Sequence, residues 1–200
     1  MKWCNSTVSS TNVETEDEQE HENVRTVGND IYFYGEINNE NVMELMCQLK
    51  TLTVELQKKA IDAPGYEPYI NLHICSEGGD IFSGLSAMDN IYANPVWVNT
   101  IAEGCCASAA TFLLLGGHSK YVSPHSYILI HQISNEFWGK YEELKDELKS
   151  CKKFMKMIRT IYEKYTNIPK VKLDNMMKRD IYLSAKQAKK YRIVDGDVWW

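Results

Sequence analysis

Tyr69-Ile70-Asn71-Leu72-His73-Ile74-Cys75-Ser76-Glu77-Gly78-Gly79 is the stretch on which the fold turns. Residues 69–74 form a short apolar-rich run behind the Ala63–Pro68 turn; they read as a strand, which the glycine pair ends. N-terminal to it, Val42, Leu45, Met46, Leu49, Leu52 and Leu56 fall at helical spacing, and Asn38 or Asn39 can cap that helix. Ile31-Tyr32-Phe33-Tyr34 before the helix reads as another strand. C-terminal to the glycines, a helix through Leu85, Met88 and Ile91 is broken by Pro95, and Val96–Ile101 is a third strand. Gly104 is expected to turn the chain into an apolar helix from about Ser108 to Leu115, and Tyr127–His131 is a further strand. Strands alternating with short helices point to an α/β domain with a largely parallel sheet.

The C-terminal part is more helical. Between about Lys140 and Tyr165, the residues Tyr141, Leu144, Leu148, Cys151, Met155, Ile158, Tyr162 and Tyr165 repeat at alternating steps of three and four. That is a narrow seam of heptad type on a helix about 38 Å long. Two readings fit: a surface helix lying on the core, or a protruding helix that packs against another subunit. A short helix around Val171–Met177 follows, and Ser184-Ala185-Lys186-Gln187 is a capping box that opens the last one.

The chain has 200 residues, 44% hydrophobic and 24% charged, which suits one soluble domain with a real core. Its net charge of −5 and lack of a basic stripe exclude a nucleic-acid footprint. No apolar run approaches the ~20 residues of a membrane span, and Met1–Ser10 lacks a signal-peptide core. Six cysteines without a C-x-x-C pair point away from a zinc site or a disulfide framework, and toward a reducing, cytoplasmic compartment. No metal or cofactor is implied. Residues 1–28 are rich in Ser, Thr, Asn and Glu, with six acids between Glu14 and Glu22; they read as a disordered acidic tail before a domain at 29–200.

Amide hydrolysis needs an activated nucleophile, a base beside it, a group that orients the base, and donors for the oxyanion. Ser108 lies among small residues, between a strand and an apolar helix; as a bare pattern this equally describes a helix cap. It is not a G-x-S-x-G elbow, because Cys106 and Ala110 stand at the glycine positions. His131 ends a strand, where a base can be held firmly and where structural histidines also occur. His73, inside a strand, reads as structural. Asp180 precedes the apolar Ile181-Tyr182-Leu183, yet composition alone does not single it out over Asp174 or Asp195. Gly78-Gly79 can aim backbone N–H groups at a carbonyl, or simply turn the chain.

Taken together, these pieces resemble the proteolytic subunit of the Clp protease. That family carries a strand leading to S-P-G-G, a G-x-A-A-S-M-G-x-F-L-L helix start, an M-I-H-Q strand and a D-R-x-x-S-A-x-E-A ending. The corresponding pieces here are Ser76-Glu77-Gly78-Gly79, then Gly104–Leu114 around Ser108, then Leu129-Ile130-His131-Gln132, and Asp180–Ala188 with Ile193-Val194-Asp195. The resemblance covers about residues 30–198. It implies a crotonase-like α/β spiral of βα units with a protruding handle helix, here about 140–165. It also implies a serine endopeptidase with Ser108 as nucleophile, His131 as base and Asp180 as acid, and with the N–H groups of Gly79 and Ala109 as oxyanion hole. Gly78, Ile133 and Phe137 would then border the bound peptide. The implied assembly is a homo-oligomer of two stacked heptameric rings around a chamber, acting on peptides or unfolded proteins, with a Clp-type unfoldase ATPase as partner.

Several positions depart from the family pattern. Glu77 replaces the proline before Gly-Gly, and Ala110 a glycine after the nucleophile. The glycine-rich segment after His-Gln becomes Ile133-Ser134-Asn135-Glu136-Phe137-Trp138-Gly139, whose aromatics would narrow the peptide groove. Asn71 and His73 stand where the family places tyrosines of its ATPase-docking pocket, and the acidic tail is unlike an apolar docking loop. Three alternatives therefore stay open: a stand-alone processing protease not coupled to a Clp ATPase, a non-catalytic ring subunit, and a crotonase-type enzyme acting on acyl-thioesters. A Ser–Lys peptidase is disfavoured by His131 and by the missing membrane segment.

Overall fold

The computed structural model describes residues 22–134 and 136–198. Eight strands and six helices alternate along these residues. β1 (Val24–Val27) and β2 (Asp30–Tyr34) form a hairpin, and α1 (Asn39–Asp62) follows. Then come β3 (Tyr69–Ser76), α2 (Ile81–Tyr92), β4 (Trp97–Ala107), α3 (Ala110–Gly116), β5 (Ser119–Val122) and β6 (Tyr127–Leu129). α4 (Tyr141–Tyr165), α5 (Lys170–Met176), β7 (Tyr182–Ser184), α6 (Ala185–Lys190) and β8 (Gly196–Asp197) complete the chain. The strands make one sheet in the order β1-β2-β3-β4-β5-β8, with β6 branching from β4 and β7 pairing β6. Only β1–β2 and β6–β7 are antiparallel; the other pairs are parallel, as βα alternation requires. Among the described residues no helix is long and apolar enough to cross a membrane.

The helical spacing of the sequence becomes buried faces. Asn38 caps α1, its side chain accepting from the Asn41 N–H at 2.8 Å, and Val42, Leu45, Leu49, Leu52 and Leu56 are buried against the sheet. Each such leucine contributes about 1.5–3 kcal/mol of transfer free energy. Ile31, Phe33, Ile70, Leu72, Ile74 and Leu113 are fully buried at the centre of the core.

Two expectations need correction. Composition puts the tail up to residue 28, but β1 already occupies Val24–Val27, with Val24 packed into the core. A polar flank does not prevent a short edge strand when one side chain is buried and a neighbour supplies the ladder; Gln48 Nε2 also donates to the Val24 carbonyl at 3.0 Å. The expectation for residues 1–21 lies outside the described residues. Secondly, Gly104 does not turn strand into helix. β4 runs through it to Ala107, and Gly104 takes φ +55 where the register against β3 shifts between Ile74 and Ser76. A glycine at a bulge bends and twists the strand without ending it. The bend divides β4: Asn99–Ala102 pair with β5, and Cys105–Ala107 pair with β6. That division delivers residue 108 to the end of β4, beside β6.

α4 is buried only near its C-terminal end, at Ile158 and Tyr162. Tyr141, Leu144 and Leu148, the start of the heptad seam, are 70%, 44% and 56% exposed. In the single chain this helix therefore projects beyond the core it helps to cover.

Candidate active site

Ser108 lies between β4 and α3 and has φ 55, a left-handed conformation rare for any residue with a Cβ. Its surroundings hold it there. Its N–H donates to the Leu129 carbonyl at 2.9 Å, continuing the β4–β6 ladder. Its own carbonyl accepts from the Thr111 N–H at 3.1 Å and from Thr111 Oγ1 at 2.6 Å. This local strain, of about 1–2 kcal/mol, marks a residue over-determined by its neighbours, a pattern common at functional positions.

Gly78 and Gly79 press against this turn. A Cβ on Gly78 would stand 2.6 Å from the Ser108 Cβ, and φ there is +104. Its N–H donates to Ser76 Oγ at 3.1 Å and its carbonyl accepts from the Ile37 N–H at 2.8 Å. Gly78 thus spends its polar groups inside the fold and makes room for Ser108. Gly79, at φ +143, forms a parallel bridge with Ile37. The bonds of that bridge come from the flanking Gly78 carbonyl and Asp80 N–H, so the N–H of Gly79 itself points away from Ile37.

His131 follows β6 by two residues, and Asp180 precedes β7 by two. The antiparallel register sets Leu129 opposite Tyr182. Continued by two residues it sets His131 opposite Asp180, and Nδ1 of the histidine lies 3.4 Å from Oδ1 of the aspartate. This is ion-pair distance, longer than a good hydrogen bond. The Asp180 side chain is 74% exposed, whereas that of His131 is 22% exposed.

A cleft of about 470 Å³ joins these parts. Gly79, Ser108, Ala109, His131 and Ile133 line it together. Asp180 is not part of the lining and reaches His131 from behind. Phe137 is also outside the cleft, half-exposed on the 133–139 segment, where its ring sits close to Gly139. The apolar wall comes instead from α2, α3 and α4: Phe82 and Phe154 meet edge to face at 5.2 Å, with Phe112 and Ile158 below them. Helical spacing had pointed to α4 as apolar, but only the packing of α2 against it makes the wall a pocket.

Two thiols stand beside Ser108, and their surroundings disfavour ionisation. Burial pushes Cys106 well above the ordinary thiol range, and Cys105 is raised by burial and then by the charges of Glu77 and Cys75. Neither behaves as a competing thiolate. His73 is buried on β3, with Nδ1 2.8 Å from Glu103 Oε1 and its ring stacked on Tyr32, a structural arrangement remote from the cleft. Two residues escaped the sequence reading. Thr111 holds the Ser108 carbonyl, and the buried Tyr162 hydroxyl meets Thr111 Oγ1 at 2.5 Å. Tyr162 figured in the sequence only as a member of the α4 seam, and nothing in the local pattern gave Thr111 a polar role.

Comparison with known proteins places the chain in a family. The Clp protease family model matches residues 17–198. A protein of Pleurastrum terricola named as an ATP-dependent Clp protease proteolytic subunit is 34% identical over 167 residues, covering 82% of this chain and 81% of its own. A protein of the same name from Deinococcus radiodurans is 31% identical over 145 residues, covering 72% and 71%.

Proposed function

The chain belongs to the Clp protease family and is a serine endopeptidase of it, and we propose that it cuts peptide bonds with Ser108, His131 and Asp180. The observation that carries this reading is the meeting of a strained serine and a histidine in one cleft, with a carboxylate behind the histidine. Asp180 beside Nδ1 favours the tautomer with its proton there, leaving Nε2 to accept. His131 takes the Ser108 proton as Oγ bonds to the substrate carbonyl carbon, then gives it to the leaving amine as the C–N bond breaks. Water, deprotonated by the same imidazole, hydrolyses the acyl-serine. The N–H groups of Gly79 and Ala109 serve as oxyanion donors; the outward N–H of Gly79 supports its half of that assignment. The ring-lined wall suits a bulky apolar side chain before the cut bond.

The uncovered seam of α4 supports assembly with further copies of this chain, as stacked heptameric rings around a chamber. The described cysteines are free thiols, which fits the reducing, cytoplasmic setting proposed for it. A second reading concerns coupling. Asn99 Nδ2 donates to Asn71 Oδ1 at 3.0 Å, and Asn71 Nδ2 to Asp30 Oδ1 at 2.7 Å. Asn71, in that ladder, stands where the family resemblance puts a tyrosine of the ATPase-docking pocket, although Tyr32, Tyr69 and Tyr121 line the same hollow; the ladder favours a processing protease that acts without a Clp-type unfoldase.

The test is intact mass after incubation with a fluorophosphonate, for wild type and Ser108→Ala, with the native mass of each. One adduct on the wild type alone and a ring-sized native mass are the expected results. A properly assembled wild type that takes no adduct overturns the assignment of Ser108. Degradation of a folded substrate on addition of a Clp-type ATPase overturns the second reading.

A further inference from the structure

Tyr162 is 1% exposed, yet it carries a hydroxyl into the centre of the molecule. Its partner there is Thr111 Oγ1 at 2.5 Å, and Thr111 is fully buried. Thr111 Oγ1 in turn lies 2.6 Å from the Ser108 carbonyl. A threonine hydroxyl has one proton. The carbonyl can only accept, so that proton goes to Ser108, and Tyr162 must be the donor to Thr111. The result is a directed chain, Tyr162 O–H to Thr111 Oγ1–H to Ser108 C=O, whose members polarise one another in a dry setting.

The chain's position is what gives it meaning. Ser108 has a left-handed backbone, and the direction of its carbonyl is coupled to ψ of Ser108 and φ of Ala109, the torsions that lead from the turn into α3. Tyr162 belongs to α4, the helix whose Phe154 and Ile158 form the pocket wall. The Tyr162 and Phe112 rings also lie in a tilted pair with centroids 6.0 Å apart, so the same two helices meet through rings as well as through the hydroxyl pair. We propose that Thr111 and Tyr162 are positioning residues, which hold the Ser108 turn in its reactive geometry by tying its carbonyl to α4. The proposal rests on Ser108 being the nucleophile. On this account the aim of the serine depends on how α4 is seated, although α4 donates nothing to the reacting atoms.

The readout is the second-order rate of Ser108 acylation by a fluorophosphonate, together with kcat and KM on a fluorogenic peptide. Thr111→Val keeps the shape and removes the hydroxyl; Thr111→Ser keeps the hydroxyl and removes a methyl. Because Thr111→Val strands the buried tyrosine hydroxyl, the double variant Thr111→Val/Tyr162→Phe serves as the matched control, with both partners made apolar. Acylation and kcat are expected to fall about ten- to a hundredfold in Thr111→Val and in the folded double variant, with KM little changed. Thr111→Ser should recover most of the rate. Wild-type acylation in a double variant of native melting temperature overturns the proposal, as does a Thr111→Ser variant no faster than Thr111→Val. A wild type that takes no adduct would strike instead at the assignment of Ser108, and so separates the two failures.

Discussion

His131 Nδ1 and Asp180 Oδ1 lie 3.4 Å apart because β6 and β7 run antiparallel in a register that sets Leu129 against Tyr182. The two residues stand just past the end of that ladder, so the pair is aligned by sheet geometry and not by its own attraction. With 74% of the Asp180 side chain exposed, solvent screens its charge. Asp180→Asn is therefore expected to lower kcat by roughly ten- to a hundredfold, well short of the ~10⁴ typical of a buried triad aspartate. Steady-state kinetics on a peptide substrate checks this. A loss as large as that of Ser108→Ala would show that Asp180 becomes buried in the assembled enzyme.

The strain at Ser108 separates stability from activity. Ser108→Gly relieves the left-handed backbone, whereas Ser108→Ala keeps the Cβ that makes φ 55 costly. Both variants should lose peptidase activity, and Ser108→Gly should be the more stable of the two by about 1 kcal/mol. Denaturant midpoints of the two inactive proteins decide the matter; equal midpoints would mean that the turn is unstrained.

Neither glycine should tolerate a side chain. In Gly78→Ala the new methyl overlaps the Ser108 Cβ and the Ala107 carbonyl, both fixed by the backbone of the turn, so activity and stability should fall together. In Gly79→Ala the methyl overlaps the Ile37 carbonyl, backbone that cannot yield, and the bridge to Ile37 breaks. The expected destabilisation for Gly79→Ala is about 2–4 kcal/mol. Thermal unfolding and peptide hydrolysis, measured on both variants, check this; a native melting temperature in either would show that the turn can open around a methyl.

Stability should decline in alkali. Burial raises both Cys106 and Tyr162 above their ordinary values of 9.0 and 10.0. The native state therefore keeps protons that the unfolded chain gives up. Their contribution is fully present below about pH 9 and is lost as pH rises past those values toward the folded ones, at up to about 1.4 kcal/mol per pH unit for each group. Tyr162→Phe should flatten the decline above pH 10. An unchanged slope would show that the phenol ionises in the native state.

Much of the architecture was legible because it is written locally. The α1 leucines, the Asn38 cap, the Ser184 capping box and the seam of α4 all appear where their spacing placed them. The failures share a cause. β1, β5 and β7 have three or four residues each, too few for a period to show, and they exist because a neighbouring strand supplies their hydrogen bonds. Gly104 suggests a turn in the sequence because glycine marks both turns and bulges, and only the register of β3 against β4 tells them apart.

By itself the sequence determined the α/β class, the order of the elements, the family and the candidates Ser108, His131 and Asp180, since each rests on short-range pattern and residue chemistry. Tertiary structure alone decided which candidates meet. It set His131 against Asp180 through the β6–β7 register, turned Gly78 inward and Gly79 outward, left Phe137 outside the cleft, and joined Tyr162 to Thr111 across 51 residues of chain. Those relations depend on contacts between residues distant in sequence, and no local period encodes which buried hydroxyl will find which partner once the core has closed.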